Sequence, residues 1–135
     1  MPLFTWNDSY SVQNNEMDQE HRQIIALLNK LHDAMGVGKS KEALPAVFDS
    51  LVQYTKTHFA NEEILLQKHN YPGLVGQKRQ HQVLIEKVAQ LQKQVLDGDV
   101  SAGMRTYDFL KQWLVEHIQG SDKEYGVFLH NKGVL

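Results

Sequence analysis

Seven histidines and no cysteine in a chain of 135 residues leave imidazole and carboxylate as the strong metal ligands available. Each predicted helix has a row of residues that faces the interior, and this row is apolar except at one place. There, side chains that can bind a metal replace the apolar ones. Burying such a group without a partner costs about 1–3 kcal/mol, and a charge costs more, so a shared metal ion would explain several of them together. The candidates are His21, His58, Glu62, Gln77, His81, His117 and Asp122.

The spacing of these candidates places them at one height in a bundle. His58 and Glu62 lie one turn apart on one helix face, and Gln77 and His81 repeat that spacing. Folding the chain back at its predicted loops brings the histidines of four helices to the same level. Asp122 follows just after the predicted end of the last helix, where a bend would return its carboxylate to the site. Four imidazoles and two carboxylates are too many for a tetrahedral zinc site; they suit two bridged metal ions, with iron favoured over calcium or magnesium.

Four segments with apolar residues at steps of three and four predict the amphipathic helices that would position these groups. Because the loops between them are short, we expect an all-α fold, an up-down-up-down antiparallel four-helix bundle in a single domain. The arm before it is expected to be extended, with a short edge strand as the alternative. The predicted segments are the N-terminal arm over 1–17, the bundle over 18–119 with helices at 18–35, 41–69, 74–96 and 101–119, and a short C-terminal tail over 120–135.

Composition excludes several classes of function. Hydrophobic residues make up 41% of the chain, charged residues 22%, and the net charge is −2, so neither disorder nor a basic nucleic-acid surface is indicated. The first ten residues lack the basic and apolar regions of a signal peptide, and no apolar run is long enough to cross a bilayer. We therefore expect a cytoplasmic monomer, without membrane insertion or nucleic acid, whose partner is a small molecule.

Four stretches of the sequence resemble bacterial single-domain hemerythrins, and the resemblance extends over essentially the whole chain. It implies a non-heme di-iron protein that stores, delivers or senses dioxygen by binding it reversibly at the less-saturated iron. Each stretch alone is a weak signal, and together they are specific. They are residues 17–22 (MDQEHR), 58–63 (HFANEE), 71–73 (YPG) with Gln77 and His81 after them, and 113–118 (WLVEHI) with Asp122 after it.

The resemblance also implies a role for each ligand. A dry apolar pocket near the oxygen-binding iron would slow the proton-driven loss of the bound oxygen as peroxide. The candidate lining residues are Leu28, Phe59, Leu114 and Ile118, with Leu114 the first choice. By the same resemblance, His21 and His58 hold the oxygen-binding iron, His81 and His117 hold the other, and Glu62, Asp122 and an oxo or hydroxo group bridge them.

Gln77 departs from the family pattern, which has a histidine at this position. Its neutral amide oxygen is a poorer iron ligand than imidazole, and a buried amide satisfied by backbone or water is the alternative. If the position is open, we expect weaker iron retention and faster oxidation to the ferric state.

Two other functions stay open. An oxidase or peroxidase would be favoured by open coordination at Gln77. The Glu-x-x-His pairs of carboxylate-rich di-iron enzymes are missing from the sequence, however, which favours reversible oxygen binding. In that case the expected protein partner is one that consumes the delivered oxygen. A metal store, or a bundle without chemistry, is the other alternative.

Several residues near the candidate ligands have a second interpretation. Glu20, Glu63 and Glu116 are expected to be solvated, although a carboxylate beside a ligand histidine can orient the imidazole through its other nitrogen. Tyr125 is predicted to pack in the core, with a hydrogen bond near the site as the alternative.

Overall fold

The structure is a computed structural model that describes residues 4–36, 40–98 and 101–134. Within these ranges, the side chains of 35–36 and 40–44 are not described. The first three residues of the predicted arm, the predicted loops at 37–39 and 99–100, and the last residue of the predicted tail lie outside the described residues.

Four long helices form the bundle predicted from the sequence. Helix α1 packs against α2 and α4, and α3 packs against the same two helices, so each helix neighbours those before and after it in the chain. This arrangement confirms the all-α four-helix fold. None of the helices in the described ranges is long and apolar enough to span a membrane. The helices are α1 (Asn15–Gly36), α2 (Ser40–Lys68), α3 (Leu74–Leu96), α4 (Ser101–His117) and a shorter α5 (Lys123–Asn131).

The buried face of α3 is polar in its first turns and apolar over the rest of its length. Its buried residues recur at steps of three and four along one face. The first two are polar and the four that follow are aliphatic. Each fully buried aliphatic side chain contributes about 1.5–3 kcal/mol of transfer free energy, so the apolar layers stabilise the fold. The buried series is Gln77, His81, Leu84, Val88, Leu91 and Val95.

The end of α4 differs from the prediction. Gly120 and Ser121 were expected to break the helix, but residues Ile118–Asp122 continue it as a π-helical turn that leads directly into α5. In an α-helix, five residues turn the chain to a position about 140° away from the starting face. A π-turn bonds residues five apart and brings them to the same face. The carboxylate of Asp122 therefore returns to His117 through a wider helical turn, and no bend out of the helix is needed.

The N-terminal arm lies over the helices and is held there by side chains of α1. The Nδ2 group of Asn29 donates to the Phe4 carbonyl at 2.7 Å, and Oδ1 accepts from the Phe4 N–H at 3.1 Å. Further along, Asp18 accepts from the Val12 N–H at 2.8 Å and from the Ser11 hydroxyl at 2.6 Å. From residue 4 to α1 the arm contains a 3-10 turn (Asp8–Tyr10) and no strand.

Candidate metal centre

The six side chains predicted as metal ligands meet in one cluster in the bundle core, and all six are buried. Helix α2 contributes two of them, and α1, α3, α4 and the π-turn contribute one each. Their ligand atoms form two groups that share the Glu62 carboxylate, with the atoms of each group within 4.8 Å of one another. The groups are His21, His58 and Glu62, and Glu62, His81, His117 and Asp122.

The two oxygens of Glu62 face different histidines. Oε2 lies 3.5 Å from Nε2 of His21 and 3.2 Å from Nε2 of His58, whereas Oε1 lies 3.0 Å from Nε2 of His81. One carboxylate thus connects an α1–α2 half of the cluster, defined by His21 and His58, with the opposite half.

Asp122 repeats this arrangement from the π-turn. Its Oδ2 lies 3.3 Å from Nε2 of His21, and its Oδ1 lies 3.0 Å from Nε2 of His117. The α3–α4 half of the cluster, defined by His81 and His117, is thereby joined to the other half a second time. Both carboxylates are positioned to be shared between two halves.

The contacts within the cluster suit a metal ion better than they suit hydrogen bonds. Within the described part of the chain, Nε2 of His21 and Nε2 of His81 have no hydrogen-bond partner. Carboxylate oxygens nevertheless lie 3.0–3.5 Å from them. About 3.0 Å is the separation of neighbouring ligand atoms around an ion with bonds of about 2.1 Å. Imidazole and carboxylate without thiolate also suit iron. The donor set therefore fits metal binding at the centre of the cluster.

The electrostatics of the cluster favour positive charge at its centre. Burial alone would raise the pKa of Glu62, but the close contacts of three histidines with its carboxylate hold that pKa well below its usual value. The pKa of Asp122 is raised by burial and by the charge of Glu62, yet contacts with the histidines lower it overall. For His21, burial lowers the pKa, but the two carboxylates outweigh burial and raise the pKa to about 10. The same field would attract a cation.

Two carboxylates outside the cluster orient the histidines. Glu20 Oε1 lies 2.7 Å from Nδ1 of His58, and Glu63 Oε2 lies 2.8 Å from Nδ1 of His81. Each contact directs the other ring nitrogen, Nε2, toward the centre. Glu20 and Glu63 therefore orient imidazoles, which was the alternative to their being solvated. Glu20 contacts a histidine of another helix and not its neighbour in the sequence. Glu116 is exposed, as expected.

Tyr125 reaches the cluster from α5. Its hydroxyl donates to Oε2 of Glu62 at 2.7 Å, and the side chain is fully buried. Burial and the charges of Glu62 and Asp122 raise the pKa of this phenol well above its usual value, so it stays a hydrogen-bond donor. Packing was the preferred interpretation from the sequence. The contact was hard to foresee because it depends on the π-turn that continues the helix.

Gln77 lies inside the α3–α4 half and is 3% exposed. Its Nε2 donates to Oε1 of Glu62 at 2.9 Å and to Oδ1 of Asp122 at 2.5 Å, and lies 3.3 Å from Nε2 of His117. Gln77 is thus a buried amide, as one of the two expectations had it, and the described hydrogen bonds of its nitrogen go to the two carboxylates.

Aromatic rings cover the α3–α4 half. The ring of Phe59 stacks on His81 with centroids 3.8 Å apart, and Trp113 stacks on His117 at 4.2 Å. Phe59 therefore contacts the half opposite to the one where an oxygen pocket was expected, although its ring is also 5.8 Å from that of His58. The pocket itself stays a prediction, and all four residues named for it are buried: Leu28, Phe59, Leu114 and Ile118.

Comparison with known proteins places these observations in one family. The sequence profile described as hemerythrin HHE cation binding domain matches residues 13–129. A bacteriohemerythrin of Stenotrophomonas maltophilia is 39% identical over 126 residues, which are 93% of this chain and 80% of that protein. One of Methylococcus capsulatus is 34% identical over 127 residues, 93% of this chain and 96% of that protein. A crystal structure of wild-type hemerythrin superposes with a TM-score of 0.86 at 32% identity, covering 93% of this chain and 96% of that one.

Proposed function

The chain belongs to the hemerythrin family, and from that premise we propose that it is a non-heme di-iron protein that binds dioxygen reversibly for storage, delivery or sensing. One observation carries the proposal: each buried carboxylate presents one oxygen to the α1–α2 half and the other oxygen to the α3–α4 half. A carboxylate arranged in this way suits two ions and not one.

The proposal assigns a task to each part of the cluster. An iron pair would supply the electrons that reversible oxygen binding requires. Glu20 and Glu63 orient one imidazole in each half, and Tyr125 holds Oε2 of Glu62. The buried apolar candidates for the oxygen pocket, with Leu114 foremost, would exclude water from the site. In this assignment, His21 and His58 would hold one iron, His81 and His117 would hold the other, and Glu62 and Asp122 would be shared between them.

The alternative functions differ in their support. The relatives give no support to an oxidase or a peroxidase, because they carry the names of hemerythrins and not of enzymes. A metal store would bind iron but would show no spectral response to oxygen. The experiment that tests the proposal must therefore measure both the number of ions and the response to oxygen.

Anaerobic loading with ferrous iron, followed by admission and removal of oxygen, provides that test. We expect two irons per chain, and a visible charge-transfer band that appears with oxygen and disappears when oxygen is removed. His58→Ala should lower the iron content and abolish the band, because it removes a ligand of the α1–α2 half. His130→Ala is the matched control, since His130 is an exposed histidine of α5. One ion per chain, no band, or a band unaffected by His58→Ala would refute the proposal.

Three further expectations stay proposals for this chain. They are a single domain over residues 1–135, a monomeric state in the cytoplasm, and delivery of oxygen to an oxygen-consuming protein. Sedimentation of the iron-loaded protein tests the second, because a dimer would have twice the 15.5 kDa mass of the chain.

A further inference from the structure

The amide nitrogen of Gln77 contacts the same atoms that form one half of the metal centre. It approaches Oε1 of Glu62, Oδ1 of Asp122 and Nε2 of His117 within 3.3 Å. All three atoms belong to the ligand group of the α3–α4 half. Among the described residues, no hydrogen bond joins Gln77 to either histidine of the α1–α2 half.

This contact pattern makes the amide a substitute for a cation. A side-chain amide has two N–H donors, and here each has a carboxylate to donate to. Hydrogen bonds to ionised acceptors in a buried site are stronger than neutral ones. The amide of Gln77, on α3, thus connects Glu62 of α2 with Asp122 of the π-turn, because the positive end of its dipole attracts both carboxylates. A metal ion in this half would attract the same two groups.

The amide nitrogen and a metal ion cannot hold these oxygens at the same time. An ion in the α3–α4 half needs the oxygens at about 2.0–2.2 Å, which leaves no room for an N–H donor on the same lone pairs. Rotation of the Gln77 side chain must therefore accompany binding, either to move the amide away or to present its oxygen. In the α1–α2 half the comparable donor is the Tyr125 hydroxyl, which occupies one lone pair of Oε2 of Glu62 and, among the described residues, makes no hydrogen bond to Asp122, so a smaller rearrangement is needed there.

We propose that Gln77 makes metal uptake ordered: the α1–α2 half fills first, and the α3–α4 half fills only by displacing the amide from Glu62 and Asp122. The inference rests on the metal centre proposed above. Loss of one hydrogen bond to a charged group corresponds to roughly a ten- to hundredfold change in an equilibrium constant. The second ion should therefore bind at least about tenfold more weakly than the first. The protein with one ion bound is then a stable state, in which the amide of Gln77 still donates hydrogen bonds to Glu62 and Asp122.

A titration with cobalt(II) under anaerobic conditions tests the order of filling. Calorimetry and the visible spectrum of cobalt report each step without relying on oxygen binding. We expect two steps in the unmodified chain, separated by about tenfold or more in affinity. In Gln77→Leu the competing donor is gone, so the second step should tighten by about tenfold and approach the first. Gln77→Ala is the second variant in case leucine does not fit the core.

Matched controls separate this inference from the metal centre itself. Gln90→Ala removes an exposed glutamine from the same helix and should leave both steps unchanged. The metal-free Gln77→Leu protein should unfold at a lower temperature than the unmodified chain, and the difference should shrink with two ions bound. Two equivalent ions in the unmodified chain, or a second step that is unchanged or weaker in both Gln77 variants, would overturn the inference. Failure of the metal centre would look different: cobalt would not bind, or His58→Ala would not affect its binding.

Discussion

Replacing Glu20 by glutamine would show whether the carboxylates behind the histidines control metal affinity in each half separately. Glu20 Oε1 lies 2.7 Å from Nδ1 of His58, and its other oxygen accepts from Nδ2 of Asn61 at 3.3 Å. The contact places a proton on Nδ1, so that Nε2, 3.2 Å from Oε2 of Glu62, is the ring nitrogen available to a metal ion. Glutamine retains an acceptor oxygen but removes the charge that makes the imidazole more basic.

The size of the effect follows from that charge and its exposure. Removing the partner of a metal-binding histidine costs about 10–100-fold in metal affinity, or about 1.4–2.7 kcal/mol. Because Glu20→Gln keeps the hydrogen bond, we expect the lower end, about tenfold. Glu63 makes the equivalent contact in the other half but is 25% exposed, compared with 13% for Glu20. Solvent screens its charge more, so Glu63→Gln should weaken binding less.

Competition between the protein and a chelator of known affinity measures these changes, with ferrous iron under anaerobic conditions. Glu20→Gln should weaken the tighter step and Glu63→Gln the weaker step, if the two halves fill in the order inferred above. Glu16→Gln is the control, since Glu16 is exposed one turn earlier on α1. The reasoning is refuted if Glu20→Gln binds iron within twofold of the unmodified chain, or if its effect equals that of Glu16→Gln.

Two further predictions concern the contacts made by α5. A methyl group added at Gly126 would lie 3.1 Å from the Val12 carbonyl carbon and still closer to its oxygen, so Gly126→Ala should cost about 1–3 kcal/mol of unfolding free energy. Gly76→Ala, at an exposed helical glycine with open space around it, should instead stabilise by about 0.5–1 kcal/mol, and equal melting temperatures for the two variants would contradict this. Tyr125→Phe removes the hydrogen bond to buried Glu62 and should destabilise the metal-free protein by about 1.5–3 kcal/mol in denaturant unfolding, whereas an unchanged midpoint would show that the bond contributes nothing.

The sequence predicted the bundle and the meeting of the ligands because both depend on simple periodicity. Apolar steps of three and four define the helices, and His58 and Glu62 share a face by their spacing alone. The course of the chain after His117 was not predictable in this way. Gly120 and Ser121 have low helix propensity, so local preference favours a break, whereas packing of α5 against the arm and the cluster favours continuation.

Contacts between distant side chains were the other part that the sequence did not reveal. Gln77 and Asp122 are 45 residues apart, and their hydrogen bond depends on how far the π-turn rotates the carboxylate. The contact of Tyr125 with Glu62 has the same origin, since α5 begins where that turn ends. Spacing identifies which face of a helix a residue occupies, but it does not determine which of two neighbouring groups a side-chain nitrogen or hydroxyl will select.

The division of the core explains how the fold tolerates such a concentration of buried charge. On α3 the polar pair Gln77 and His81 occupies the first turns of the buried face, and only aliphatic residues follow it. On this helix the apolar burial therefore lies in layers that follow the cluster, while contacts with histidines and hydrogen bonds from Tyr125 and Gln77 offset the burial of Glu62 and Asp122. Because the two regions are separate, a change at the cluster can alter metal binding without removing the apolar layers. On α3, metal affinity thus depends on the first turns of the buried face, whereas the apolar burial that stabilises the fold lies in the turns that follow.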